Sequence, residues 1–166
     1  MTSNSFSSTN DLPPTELLPW LNAEGSLTAI LEEKAGQPLR VKRSFEGYRS
    51  LTLAQKKQLG VQGMMLNRPM LAWIREVQLY GNNDMPWVQA QSIFPLNSLK
   101  GQSCRLQHLK NTPIGYVLFK RRRTLPNKRF ISHTSDGWQR QTRYGWHGRK
   151  IMISETFLPA FLSSEL

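Results

Sequence analysis

With one cysteine, Cys104, in 166 residues, no internal disulfide can form, so packing rather than covalent staples must hold the fold. That suits a reducing, cytoplasmic setting. Long hydrophobic runs are also missing. No stretch approaches the ~20 apolar residues that cross a bilayer, so stable membrane insertion is not expected. The first fourteen residues, rich in Ser, Thr, Asn and Pro, lack the apolar stretch of a secretory signal and read as a loose lead-in to one domain over residues 15–166. Phosphate-cradling glycine loops are absent, because the glycines fall about one per turn. His108, His133 and His147 have no metal-ligand spacing and read as surface or hydrogen-bonding residues. Cys104 as a nucleophile would need a histidine beside it in space, and a partly buried packing role is the simpler expectation.

Acidic residues are scarce too, 11 against 22 Lys and Arg, for a net charge of +11. Residues 120–150 carry ten of the basic side chains and a single acid, Asp136. Such a field draws anions of any kind: nucleic acid, an acidic membrane surface or a small polycarboxylate. Lys120-Arg121-Arg122-Arg123, with Lys128 and Arg129, could form a nucleic-acid patch, and Trp138, Tyr144 and Trp146 could stack on bases. Their even spacing equally fits one face of a strand, and no nucleic-acid motif accompanies them. No nucleic-acid partner is expected, though peripheral membrane contact through 120–129 stays open.

What is present is patterned. Ser26 before Leu27–Ala35 and Gly36 after it mark a capped helix with an apolar stripe at Leu27, Ile30 and Leu31. Leu17 to Leu21 suggest a shorter helix broken near Pro19, and Thr52 caps another over Leu53–Leu59. Helices are also expected around Gln102–Lys110 and after Thr112-Pro113. Leu39–Arg49, Met70–Tyr80, Trp87–Phe94, Arg123–His133, Trp138–Trp146 and Ile151–Leu158 read as strands. The turns Gly81–Asp84, Asp136-Gly137 and His147-Gly148 join neighbours, which implies antiparallel pairing. The expected fold is α+β: one six-stranded antiparallel sheet with helices packed on one side.

Strand parity then isolates two charges. Leu71, Trp73, Arg75, Val77 and Leu79 share a face, as do Ile151, Ile153, Glu155, Phe157 and Pro159. Each face is apolar except for its one ion, and a lone buried charge costs several kcal/mol unless matched. Arg75 and Glu155 could pair directly, or a bulge could turn one outward. Alternatively a carboxylate ligand meets Arg75, whose planar fork suits it, while Glu155 meets another polar part of that ligand.

In order along the chain, Glu24-Gly25-Ser26-Leu27-Thr28, Trp73-Ile74-Arg75-Glu76, Pro86-Trp87, Thr112-Pro113-Ile114-Gly115 with Leu118-Phe119, Trp138 with Arg140 and Arg143, and Ser154-Glu155-Thr156-Phe157-Leu158-Pro159-Ala160 form a set. On these motifs, from about Leu18 to Pro159, the chain resembles the chorismate lyase family. The resemblance implies conversion of chorismate to 4-hydroxybenzoate and pyruvate for ubiquinone synthesis, a monomer, no metal or organic cofactor, and a buried ligand cavity under flap-like segments. It implies that Arg75 binds the ring carboxylate with backbone N–H groups at Leu27 and Ile114, and that Glu155 faces the ring hydroxyl. This chain has Leu27 and Ile114 where the family often has methionine and leucine, a change that a backbone contact tolerates. The rival readings are a non-catalytic sensing domain of the same fold and a basic nucleic-acid-binding protein.

Overall fold

The computed structural model describes residues 12–120 and 125–164, apart from the side chains of Gln102 and Ser103. A 3-10 turn over Thr15–Leu17 runs into helix α1 (Leu18–Leu21), where Pro19 lies in the first turn. Its missing N–H has no helical partner to lose there, so the proline starts the helix instead of breaking it. Helix α2 (Leu27–Ala35) begins where Ser26 Oγ accepts the Ala29 N–H, and it stops at Gly36, which takes the left-handed φ of 68°. Helix α3 (Leu53–Gln58) is entered by a capping box between Thr52 and Gln55. The expected helix at Gln102–Lys110 is a run of 3-10 turns over Gly101–His108, followed by helix α4 (Ile114–Leu118) and, at the end, α5 (Pro159–Leu162).

The strands are β1 (Arg40–Ser50), β2 (Leu71–Tyr80), β3 (Val88–Pro95), β4 (Asn127–Thr134), β5 (Gly137–Trp146) and β6 (Arg149–Phe157). The fourth starts later than the expected Arg123, and residues 123 and 124 of that expected strand lie outside the described part. All neighbours are antiparallel in the order β1-β2-β3-β6-β5-β4. Two three-stranded meanders thus meet at β3 and β6. The chain leaving β3 must reach the far edge at β4, and 3-10 turns and α4 make up the described part of that long crossover.

Parity sorts the apolar residues as read from sequence. One face carries Val77, Leu79, Val88, Trp138 and Phe157, which pack against Leu21, Leu27, Leu31 and Phe161 from α1, α2 and α5. The same face, further along, carries Phe94, Tyr144, Trp146, Ile151 and Ile153, covered by Leu106, Leu109 and Leu118. The opposite face holds a smaller apolar patch, Ala72, Ile74, Ile93 and Met152, and it is closed by Leu51 and Leu59 at the two ends of α3. Most helices therefore lie on one side, and α3 covers the apolar cluster on the other.

Candidate functional site

Between the two inner-face cores runs a charged belt, which is why that core is split in two. Reading straight across the sheet, Glu46 pairs with Arg75, Arg75 with Ser92, Ser92 with Ile153, Ile153 with Thr142, and Thr142 with Arg129. One row along, Ala90 pairs with Glu155 and Glu155 with Arg140. The belt holds three guanidiniums, Arg75, Arg129 and Arg140, against two carboxylates, Glu46 and Glu155.

Arg75 is 1% exposed. Its Nη2 donates to the carbonyl oxygens of Lys110 at 2.8 Å and Thr112 at 3.0 Å, which ties down the segment leading into α4. Lys110 adopts a left-handed φ of 52° there, uncommon for a side-chain-bearing residue. The Arg75 Nε is buried without a hydrogen-bond partner; the nearest acid, Glu46 Oε1, stands 3.8 Å away and is itself unpartnered. Burial pushes the Arg75 guanidinium below its ordinary pKa, Glu46 pulls it back up, and Arg43 lowers it again. A guanidinium keeps its proton even so, and an added anion would relieve the imbalance.

Glu155 does not pair with Arg75. Strand β3 separates them, two strand spacings of about 4.8 Å each, and Glu155 Oε2 instead accepts from Arg140 Nε at 2.5 Å. Arg140, fully buried, also donates through Nη1 to the carbonyls of Trp20 and Ala23 at 3.1 and 3.0 Å, while its buried Nη2 has no partner. Arg129 donates to Thr142 Oγ1 and to the carbonyls of Leu21 and Ala23. Half-buried, it is turned to the inner face rather than to the basic surface run in which the sequence reading grouped it. Tyr144, buried nearby, has its hydroxyl pKa raised, first by burial and then by the Glu155 charge.

Leu27 and Ile114 open α2 and α4, so their backbone N–H groups belong to first turns, where no intrahelical acceptor exists. The two helix starts touch. A Cβ on Gly115 would lie 2.7 Å from Ser26 Oγ and 2.8 Å from Thr28 Oγ1, so only glycine permits this approach. Tyr116 donates to Glu32 at 2.5–2.6 Å, a bond that raises its pKa to about 12, and Glu32 also accepts the Leu39 N–H. A chain of contacts therefore links all four residues expected from sequence. Arg75 holds the entry to α4, α4 packs on the start of α2, and Arg140 links Glu155 to the loop that precedes α2.

Sequence reading missed Arg140 and Glu46. The parity rule that exposed Arg75 would have found Arg140, which shares a face with Trp138, Thr142, Tyr144 and Trp146 on β5. Glu46 was hidden by a bulge between Arg43 and Phe45 that reverses the alternation of β1. Cys104 is exposed, contrary to the packing role expected of it. Among the described residues no group of three His, Cys, Asp or Glu side chains could hold a metal, and no helix is long and apolar enough to cross a membrane. An open cavity of about 600 Å³ lies beside Trp146, with Arg105, Lys120 and His147 in its wall, and neither Arg75 nor Glu155 lines it. The open donors of the belt, not open volume, mark the candidate site.

The chain is similar to known proteins over its whole length. Residues 4–165 match the family model described as chorismate lyase. A protein of Psychrobacter cryohalolentis named probable chorismate pyruvate-lyase is 72% identical over 95% of this chain and 94% of its own. One of the same name from Psychrobacter arcticus is 69% identical over 100% and 99%. The chorismate pyruvate-lyase of an Escherichia coli strain is 28% identical over 88% and 84%.

Proposed function

The chain belongs to the chorismate lyase family, and from that premise we infer that it converts chorismate to 4-hydroxybenzoate and pyruvate. The observation that carries the reading at the level of this chain is the unpartnered, buried Nε of Arg75, set among groups that also leave charge unmatched. A ring carboxylate supplies the acceptor that this donor lacks. The N–H groups of Leu27 and Ile114 add two more donors from helix first turns, which favour negative charge. Glu155 holds the ring hydroxyl at the other end of the ligand, its second oxygen braced by Arg140.

The chemistry needs orientation more than activation. The C–O bond to the enolpyruvyl group breaks with its electron pair going to oxygen. The hydrogen on the hydroxyl-bearing ring carbon leaves as a proton, and the departing enol takes up a proton on carbon to become pyruvate. The ring becomes aromatic, and that supplies the driving force without an electron sink from a cofactor. An enclosed site that holds the ring and excludes water serves such a reaction. We also propose that the protein acts as a cytoplasmic monomer whose product feeds ubiquinone synthesis. The internal use of Arg129 removes one cation from the basic run that a nucleic-acid reading would need.

The decisive experiment incubates purified protein with chorismate and follows 4-hydroxybenzoate by absorbance and pyruvate by a coupled assay. The two products are expected in equal amounts, with no added metal. Binding of chorismate without turnover would favour a sensing domain, and salt-dependent oligonucleotide binding in place of turnover would favour a nucleic-acid protein.

A further inference from the structure

We propose that Arg140 is the second anchor of a dicarboxylate cradle, its free Nη2 receiving the enolpyruvyl carboxylate while Arg75 receives the ring carboxylate. The proposal rests on the chorismate reading and adds to it a residue that recognises the group to be eliminated.

Three observations support this. The first is the uneven use of the Arg140 guanidinium. Nε is taken by Glu155 and Nη1 by two backbone carbonyls, yet Nη2, in a residue 0% exposed, donates to nothing. Buried guanidinium donors are rarely left without an acceptor, and a carboxylate is the acceptor whose geometry fits them best. The second is position. Chorismate carries its enolpyruvyl ether on the ring carbon adjacent to the one bearing the hydroxyl. If Glu155 holds that hydroxyl, the group beside it falls next to the arginine that grips Glu155. The third is charge. Arg129 is committed to Thr142 and two carbonyls, so the buried nitrogens left open to an incoming anion are Nε of Arg75 and Nη2 of Arg140. The substrate brings two carboxylates, and two open donors on separate strands answer them.

The arrangement has a consequence for selectivity. Once the ether bond breaks, the second carboxylate departs with pyruvate, and 4-hydroxybenzoate keeps only the carboxylate that belongs to Arg75. Arg140 therefore favours substrate over the aromatic product, whereas Arg75 treats them alike.

The test uses 3-(carboxymethoxy)-4-hydroxybenzoate, an unreactive aromatic that carries both carboxylates, with its side-arm methyl ester and 4-hydroxybenzoate as comparators, each titrated by calorimetry. Wild-type protein is expected to bind the diacid about tenfold or more tightly than the ester, the range for a hydrogen bond to a charged group. Arg140→Gln should erase that preference and cost the diacid about tenfold more affinity than it costs 4-hydroxybenzoate, which feels only the loosened Glu155. Acid and ester bound equally by the wild type would overturn the proposal, and this arm needs no variant to fold. So would an Arg140→Gln protein that loses 4-hydroxybenzoate as severely as the diacid, since that marks a purely structural residue. Wild-type protein that neither binds these ligands nor turns over chorismate would overturn the parent reading, and this proposal with it. Turnover of chorismate with no acid–ester preference would overturn this one alone.

Discussion

The two faces of the sheet are both polar in places, but they handle their polar groups in opposite ways. On the outer face the groups are mostly neutral and satisfy one another. Gln58 donates to Gln141, Gln141 to Ser154, and Gln139 to Thr156, while Gln91 and Arg49 both donate to Glu76. On the inner face the groups are charged, more deeply buried and incompletely matched. Arg75, Arg140, Glu46 and Trp73 each retain a buried atom with no hydrogen-bond partner. A closed polar ladder contributes to holding a sheet together. An open charged belt contributes less to folding than it would if apolar, so its retention needs a ligand to explain it.

Substitutions on each face should separate these roles. The largest effect is expected on the inner face: Arg75→Ala should lower kcat/KM for chorismate by about a thousandfold, because it removes the charged donor to the ring carboxylate and frees the entry to α4. Initial rates of 4-hydroxybenzoate formation measure this, and near-normal turnover would erase the functional difference between the faces. A smaller effect is expected where the covering helices meet. Gly115→Ala forces a methyl against Ser26 and Thr28, which must part. A destabilisation of about 1–3 kcal/mol by denaturant titration should accompany a several-fold rise in KM as the α4 start moves from the belt. The smallest belongs to the outer face. Gln141→Ala breaks two links of the ladder, so stability should fall by about 1 kcal/mol while kcat/KM stays within about twofold. A large loss of activity there would mean that the faces are not functionally distinct.

Much of this was legible from sequence because alternation along a strand is a strict geometric rule. It put Arg75 on the inner face and Glu155 on the same side from four neighbours each. Capping chemistry likewise located both ends of α2. What escaped had physical reasons. A bulge is invisible to alternation, so Glu46 was assigned no place opposite Arg75. The pairing of Glu155 with Arg140 instead of Arg75 depends on strand order, and order follows from the long crossover rather than from any local pattern. The Gly101–His108 segment has few apolar positions to set a 3.6-residue stripe, and it winds into tighter 3-10 turns. The opposite-face position of α3 answers a patch assembled from β2, β3 and β6, which no single segment reveals.

The bulge in β1 makes one edge strand serve two masters. Val41 points into the inner core, Phe45 reaches the patch on the outer face, and Glu46 turns back to stand opposite Arg75, while Ser44 is the uncounted residue that shifts the phase, pinned by its hydroxyl to the Glu76 carbonyl. At the same length without the bulge, strict alternation from Arg43 would turn Phe45 inward and Glu46 out to solvent. Arg75 would then lose the counter-charge that Glu46 supplies although no group meeting the ligand had changed, so the tuning of the anchor is written one strand away, in a residue that touches neither.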